Sequence, residues 1–171
     1  MTLPCGWRPM KDSDIAAVST ISDAVHGPFT EDADIYAERL ALYAAGCFVL
    51  ERQGRVSGYL VTHPWTAAAP PALNERIGAI PADADCYYLH DLALLPDARG
   101  GGAGSAAMRC VVQAARAAGQ AAIVHMAVGG AEAFWGKQGF DDISRELDPE
   151  KRASYGPDAV FMRRMIRTMP D

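Results

Sequence analysis

Between residues 86 and 128 the chain runs through an apolar stretch, a glycine-rich loop, an amphipathic stretch and a second apolar stretch. Residues 86–95 have the length and composition of a buried strand, and Gly100, Gly101, Gly102 and Gly104 follow soon after Pro96. Residues 105–118 carry Met108, Val111, Val112 and Ala115 at three- and four-residue steps, with Gly119 as the stop signal, so they predict a helix. Residues 121–128 are again strand-like. A strand, helix and strand in that order form a crossover unit whose strands lie parallel or nearly so, which commits the chain to an α/β sheet.

The upstream sequence supplies the rest of that sheet. Residues 3–8 read as a short first strand. Ser13 is placed to cap a helix bearing Ile15, Val18, Ile21 and Val25 and ending at Gly27-Pro28. Ala33, Tyr36, Ala37, Leu40 and Ala44 predict a second helix, closed by Gly46. Residues 47–52 and 56–62 flank a tight turn at Gly54 and predict an antiparallel hairpin, so the sheet is mixed. Residues 64–85 contain Pro64, Pro70, Pro71 and Pro81; a loop of that length is more often functional than accidental. A short helix over 131–138, ending at Gly139-Phe140, and a last strand over 159–166 complete the order.

At 171 residues the chain is long enough to bury one core without disulfides or metals, and one domain over 1–171 is expected. The 21 acidic side chains outnumber the 16 basic ones, which disfavours nonspecific nucleic-acid binding and tolerates a cationic substrate. Cys5, Cys47, Cys86 and Cys110 lie far apart and read as reduced thiols. The first residues lack a signal-peptide core and no apolar run is long enough to cross a bilayer, so a cytoplasmic location and no membrane partner are expected. His26, His63 and His125 read as helix-end or ordinary strand residues, and no metal site is expected.

Glycines after a strand and before a helix admit two readings, a tight turn or an anion cradle made of backbone amides. Two nucleotide motifs fail on spelling. No lysine stands between Gly104 and Ser105, as a P-loop requires, and no acidic residue ends the 121–128 strand, as a dinucleotide fold requires.

Arg99-Gly-Gly-Gly102-Ala-Gly104, preceded by Leu92-Ala-Leu-Leu-Pro96, resembles the acyl-CoA signature of the GNAT N-acetyltransferase superfamily. A second block, Ala131-Glu-Ala-Phe-Trp-Gly-Lys-Gln-Gly-Phe140, is similar to a downstream motif of that family. The resemblance implies a GNAT fold: a mixed sheet of about six to seven strands with about four helices, splayed between the fourth and fifth strands. It implies acetyl-CoA as acyl donor and an amine as acceptor. It places pantetheine against the backbone of Leu92 and Leu94, with Phe134 nearby, and pyrophosphate on the segment Arg99, Gly100, Gly101, Gly102, Ala103, Gly104 and Ser105. The Leu94 N–H becomes the oxyanion donor.

For the base, His90 is the best choice, because histidine ordinarily titrates near neutrality and this one stands on the strand aimed at the thioester. By strand alternation Tyr88 shares its face and Asp91 takes the opposite one. The stretch Tyr88 to Leu94 also resembles the strand of arylalkylamine acetyltransferases, with histidine kept at position 90 and replaced by Tyr88 two residues earlier. A purely structural role for His90 or Asp91 is the competing reading.

Two positions depart from the family pattern. Trp135 stands where many members have an acidic tyrosine, leaving Tyr155 or water to protonate the thiolate, and Val128 stands where many have an asparagine that binds pantetheine. Glu31, Asp32 and Asp34 either attract an ammonium group or cap the second helix, and Trp65 and the loop after it form the other wall of the acceptor site. The function expected is acetyl transfer to a small-molecule amine by direct attack. The alternatives are acetylation of a peptide or protein N-terminus and a non-catalytic acyl-CoA sensor. A homodimer is compatible with either.

Overall fold

Residues 5–167 are described by the computed structural model, in which the chain forms strands β1 (Trp7–Pro9), β2 (Cys47–Arg52), β3 (Arg55–Trp65), β4 (Cys86–Leu94), β5 (Ala122–Ala127), β6 (Asp141–Asp142) and β7 (Val160–Met165). The helices are α1 (Ile15–His26), α2 (Ala33–Leu42), α3 (Ala103–Ala117), α4 (Glu132–Lys137) and α5 (Pro149–Ala153). The strands form one sheet in the order β1-β2-β3-β4-β5-β7-β6. Among the described residues only β4 and β5 pair in parallel, as the crossover through α3 requires.

The two faces of the sheet are covered separately because strand side chains alternate. Leu50, Leu60, Tyr87 and Leu89 lie on one face against Ala107, Cys110 and Val111 of α3, whose small residues let the helix approach closely. Val49, Tyr59, Val61 and Ala93 lie on the other, against Val18 and Ile21 of α1 and Tyr36 and Leu40 of α2. A third cluster packs Tyr88, Val124 and Met126 against Leu147, Tyr155 and Phe161.

Several boundaries differ from the sequence expectation. Ser13 is not the cap of α1; a short turn over Asp12–Asp14 precedes the helix, and Asp14 accepts from the Lys11 N–H at 2.8 Å and from the Arg8 guanidinium at 2.7 and 3.0 Å. Asp14 stands at the cap position of α1 without a side-chain cap bond, its carboxylate held by Arg8 and the Lys11 amide instead. The first strand lies at Trp7–Pro9, and residues 3 and 4 of its expected span fall outside the described residues. β3 runs on through His63 and Pro64 to Trp65, so the loop begins later than expected. α5 was not expected; Asp148 caps it, accepting from the Glu150 and Lys151 amides, with Pro149 in its first turn.

Two irregularities in β4 create the site. β4 and β5 are paired only at Tyr87↔Ile123 and Tyr88↔Val124, and beyond Tyr88 they part. There the His125 side chain, through Nδ1, donates to the Leu89 carbonyl at 2.8 Å. On the other edge, Leu89 faces Thr62 while Asp91 faces Val61, which leaves His90 as an extra residue in a β-bulge. The bulge overturns the expectation from strict alternation. Asp91 lies on the same side of the sheet as His90, toward α1 and α2, where it meets Tyr36 and Tyr59.

Candidate active site

The parted edge of β4 is a row of backbone groups. The Leu95 N–H donates to the Ser57 carbonyl at 2.9 Å, and Ala93 and Asp91 stand opposite Tyr59 and Val61 in the same register. By the alternation of an antiparallel ladder, Leu92 and Leu94 turn their amides away from β3 toward the opening beside β5. Their side chains pack on the α3 side of the sheet. Arg99 Nε donates to the Leu94 carbonyl at 3.1 Å, which fixes the turn leaving the strand.

The glycine loop follows. Gly100, Gly101 and Gly102 all have positive φ, at 80°, 58° and 81°, a conformation that costs a side-chain-bearing residue about 1 kcal/mol or more. Ala103 and Ala106 donate to the Gly100 and Gly102 carbonyls, and the amides of Gly104 and Ser105 open the first turn of α3, where a helix has no internal acceptors. Phe134 of α4 packs over Gly104 yet remains 42% exposed. A concavity of about 520 Å³ lined by Arg52, Gln53, Arg55, Ser57, Asp97 and Ala98 lies on the side of the loop where Arg52 approaches Gly101.

On the opposite side of β4 the groups are titratable side chains. His90 Nε2 lies 2.6 Å from Glu31 Oε1. Burial alone would raise the Glu31 carboxyl, but the charge and hydrogen bond of His90, helped by the Asn74 N–H, hold it below the ordinary carboxylate value. The neighbouring Asp91 carboxylate accepts from Tyr59 at 2.5 Å and Tyr36 at 3.0 Å, and His26 Nε2 is 2.7 Å away. Burial again pushes the Asp91 carboxyl up; His26 and Tyr59 outweigh it and keep it ionised. For His26 burial works downward, and the Asp91 hydrogen bond and charge reverse it, raising the pKa. The bulge therefore presents two histidine–carboxylate pairs side by side.

The long loop closes over this side. Asn74 N–H donates to Glu31 Oε2 at 2.7 Å, Ile77 N–H to Glu38 at 2.8 Å, and Arg76 pairs with Asp34 at 2.8 Å. Asp32 occupies the cap position of α2 without a side-chain cap bond and accepts instead from Asn74 Nδ2. Asp34 stands in the first turn of α2, where a carboxylate suits the helix start. Trp65 Nε1 donates to the Ala69 carbonyl at 2.7 Å, holding the first turn of the loop. The Tyr155 hydroxyl lies 2.7 Å from the Pro70 carbonyl and 2.5 Å from that of Pro71, and burial raises its pKa.

Of the expected residues, the structure brings together His90 and Glu31, with Tyr88 6.2 Å from the His90 ring; Leu94 lies further along the same strand. Tyr155 belongs to the loop anchor. Trp135 is buried against His125 at 4.2 Å and Phe140 at 5.5 Å, a packing role. Sequence reading missed His26, Tyr36 and Tyr59, because their common partner depends on the bulge. Burial pushes the thiols of Cys47 and Cys86 up to about 12 and that of Cys110 to about 11, so none of these is a ready nucleophile. Among the described residues no group of three or more His, Cys, Asp or Glu side chains could hold a metal ion, and no helix is long and apolar enough to cross a membrane.

The parted parallel pair leaves a strand edge open, with a glycine loop and the start of α3 at its mouth. Residues 16–140 match the model of the acetyltransferase (GNAT) family, and the chain belongs to that family of acyltransferases. Among solved structures it resembles a GNAT-like decarboxylase, GphF, in complex with isobutyryl-CoA (TM-score 0.74, 18% identity, covering 94% of this chain and 99% of that one). Ard1 from Thermoplasma volcanium gives a TM-score of 0.70 at 16% identity, covering 95% and 97%. N-acetylglutamate synthase from Neisseria gonorrhoeae, complexed with coenzyme A and N-acetyl-glutamate, gives 0.71 at 18% identity over 95% of this chain. The chain spans only 35% of that synthase. A search of curated protein sequences gives no significant match.

Proposed function

We propose that the protein is a one-domain N-acetyltransferase that moves the acetyl group of acetyl-CoA to the amine of a small molecule. The observation that carries this reading is the bulged His90, backed by Glu31 at 2.6 Å, beside the strand edge that bears the Leu94 amide. The chain fits the donor: free amides at the α3 start suit a diphosphate, Arg99 adds charge, and exposed Phe134 offers an apolar surface. Acetyl-CoA supplies a thioester, an acyl group with a tolerable leaving group.

The residues divide the work by their geometry. The Leu94 N–H donates to the carbonyl oxygen as it gains charge. Glu31, a carboxylate, accepts from His90 Nε2, so Nδ1 is left as the basic atom that removes a proton from the attacking amine. Glu31 then faces an imidazolium and stabilises it. Tyr155 or water returns a proton to the thiolate, and Tyr155 must leave the Pro70 and Pro71 carbonyls to do so. With the buried thiols held protonated, direct attack is the route.

The clasp of the loop over Glu31, Asp34 and Glu38 favours a small amine over a polypeptide, which needs an open channel. Trp65, Tyr88, Glu31 and Asp32 stand on the acceptor side. The four unpaired cysteines suit a reducing compartment such as the cytoplasm. Free CoA released from acetyl-CoA, followed by chromatography over arylalkylamines, polyamines, amino acids, aminoglycosides and short peptides, tests the reading. Saturable release with a small amine, lost in His90→Ala, is the expected result. Release with peptides alone would favour N-terminal acetylation, and tight acetyl-CoA binding without transfer to any acceptor would favour a sensor.

A further inference from the structure

The concavity of about 520 Å³ beside the glycine loop holds positive charge without a partner. Its rim is the turn between β2 and β3, where Arg52 and Arg55 stand directly opposite each other across the hairpin. Directly opposed residues project from the same face of a sheet, and like charges in that position repel. Both arginines are exposed, and among the described residues neither forms an ion pair. Arg8, Arg76 and Arg163, by contrast, each meet a carboxylate. In a chain of net charge −5, acids are plentiful, and yet none answers this pair.

The surroundings identify the charge that fits. Arg52 Nη2 comes within 3.9 Å of the point where a Cβ on Gly101 would sit, so this guanidinium lies against the loop that leads into α3. Arg99, the other cation of the loop, is tied by its Nε to the Leu94 carbonyl. One acid, Asp97, shares the concavity, and two arginines against one aspartate leave it a net charge of +1. Beyond the diphosphate of CoA, one methylene and a ribose ring lead to a phosphate monoester on the 3′ oxygen. Such a group carries a charge of about −1.5 to −2 near neutral pH, and the planar fork of a guanidinium matches its oxygens.

We propose that Arg52 and Arg55 bind the 3′-phosphate of CoA, so that the donor site tells CoA from dephospho-CoA. This inference rests on acetyl-CoA being the donor. With the diphosphate on the amides at the α3 start, a phosphate one ribose away comes within reach of two long, flexible side chains on the hairpin beside the loop. Its arrival relieves the repulsion between the two guanidinium groups. Asp97 opposes the same phosphate and sets a ceiling on how tightly it is held. Free inorganic phosphate offers the same oxygens but has no diphosphate anchored beside it, and so lacks the high effective concentration that the tether supplies.

The test is calorimetric titration of the full chain with CoA and with dephospho-CoA at low ionic strength, where exposed charges are least screened. Wild type is expected to bind CoA about tenfold or more tighter than dephospho-CoA. In the Arg52→Gln, Arg55→Gln double variant that preference falls to about twofold, through weaker CoA binding alone. Dephospho-CoA keeps its affinity there, which also shows that the variant is folded. Asp97→Asn acts in the opposite direction and strengthens CoA about two- to threefold. Equal affinity of wild type for the two ligands overturns the inference and leaves acetyl transfer standing, as does a preference that survives in the double variant. A parallel loss of both ligands in the double variant overturns it too, because the arginines would then serve the diphosphate. Inorganic phosphate titrated into CoA-saturated wild type should give no binding heat; heat that disappears in the double variant would assign the concavity to a free phosphate instead. If wild type binds neither CoA nor dephospho-CoA, the inference and the donor reading fall together.

Discussion

On the proposed reading the two sides of β4 hold the two substrates, and they are built from opposite materials. Toward α3 and the glycine loop the strand offers main-chain amides, a helix start and an open edge, with three successive residues at positive φ. Toward α1 and α2 it offers Glu31, His26, His90 and Asp91, paired in a largely buried network with Tyr36 and Tyr59 and roofed by a loop. Backbone recognises the invariant part of a carrier without needing particular side chains. Charged side chains under a roof can move a proton and discriminate acceptors, but every one must be satisfied.

The largest effect expected from this division belongs to His90. His90→Ala should lower amine-dependent kcat by about 10²–10⁴-fold while CoA affinity stays within about twofold. Next comes Asp91, on which His26, Tyr36 and Tyr59 converge. Asp91→Ala strands three partners and should cost about 3–5 kcal/mol in urea unfolding. A similarly large loss of CoA affinity in this variant would break the separation of the two sides.

Acid should act through the same side. Asp91 and Glu31 titrate lower in the fold than in the unfolded chain, so their stabilisation is present above the ordinary carboxylate range and is lost as pH falls through their folded values. His63 and His125 stay neutral down to about 3 and about 4, whereas in the unfolded chain they bind protons below 6.5. Each therefore removes stability as pH drops from 6.5, by at most about 1.4 kcal/mol per unit. His26, with a raised pKa, acts in reverse: its contribution is complete below 6.5 and fades as pH rises through its folded value. Urea midpoints measured at pH 7, 6 and 5 should fall steadily; a flat profile would contradict the buried neutral rings.

Smaller effects sharpen the contrast. Gly102, at φ 81°, has open space where a side chain would go, so Gly102→Ala imposes backbone strain of about 1 kcal/mol and should weaken CoA several-fold without changing the pH dependence of kcat. Tyr155→Phe loses the tie to Pro70 and Pro71 and about 1 kcal/mol of stability. A change in kcat of under about threefold would mark it as an anchor; a fall of a hundredfold or more would mark it as the acid.

What the sequence made legible follows the same division. The glycine run, the amphipathic α3 and the two strands around it are local patterns, and their spelling carried the family resemblance as well. The acceptor side depends on pairings far apart in the chain. Glu31 and His90 are 59 residues apart, and nothing local announces their contact. The position of Asp91 hangs on a one-residue mismatch between β3 and β4, a property of two strands that neither shows alone. The start of α5, by contrast, was spelled out in Asp148-Pro149, a cap and first-turn signal that could have been used.

The most direct measurement is kcat and CoA affinity on the same preparation of His90→Ala and of wild type, using the amine that releases CoA fastest. The division of the site predicts turnover reduced at least a hundredfold with calorimetric CoA affinity unchanged. Full amine-dependent turnover in the variant would contradict it, because the base would then lie elsewhere and the bulge would be a structural feature alone.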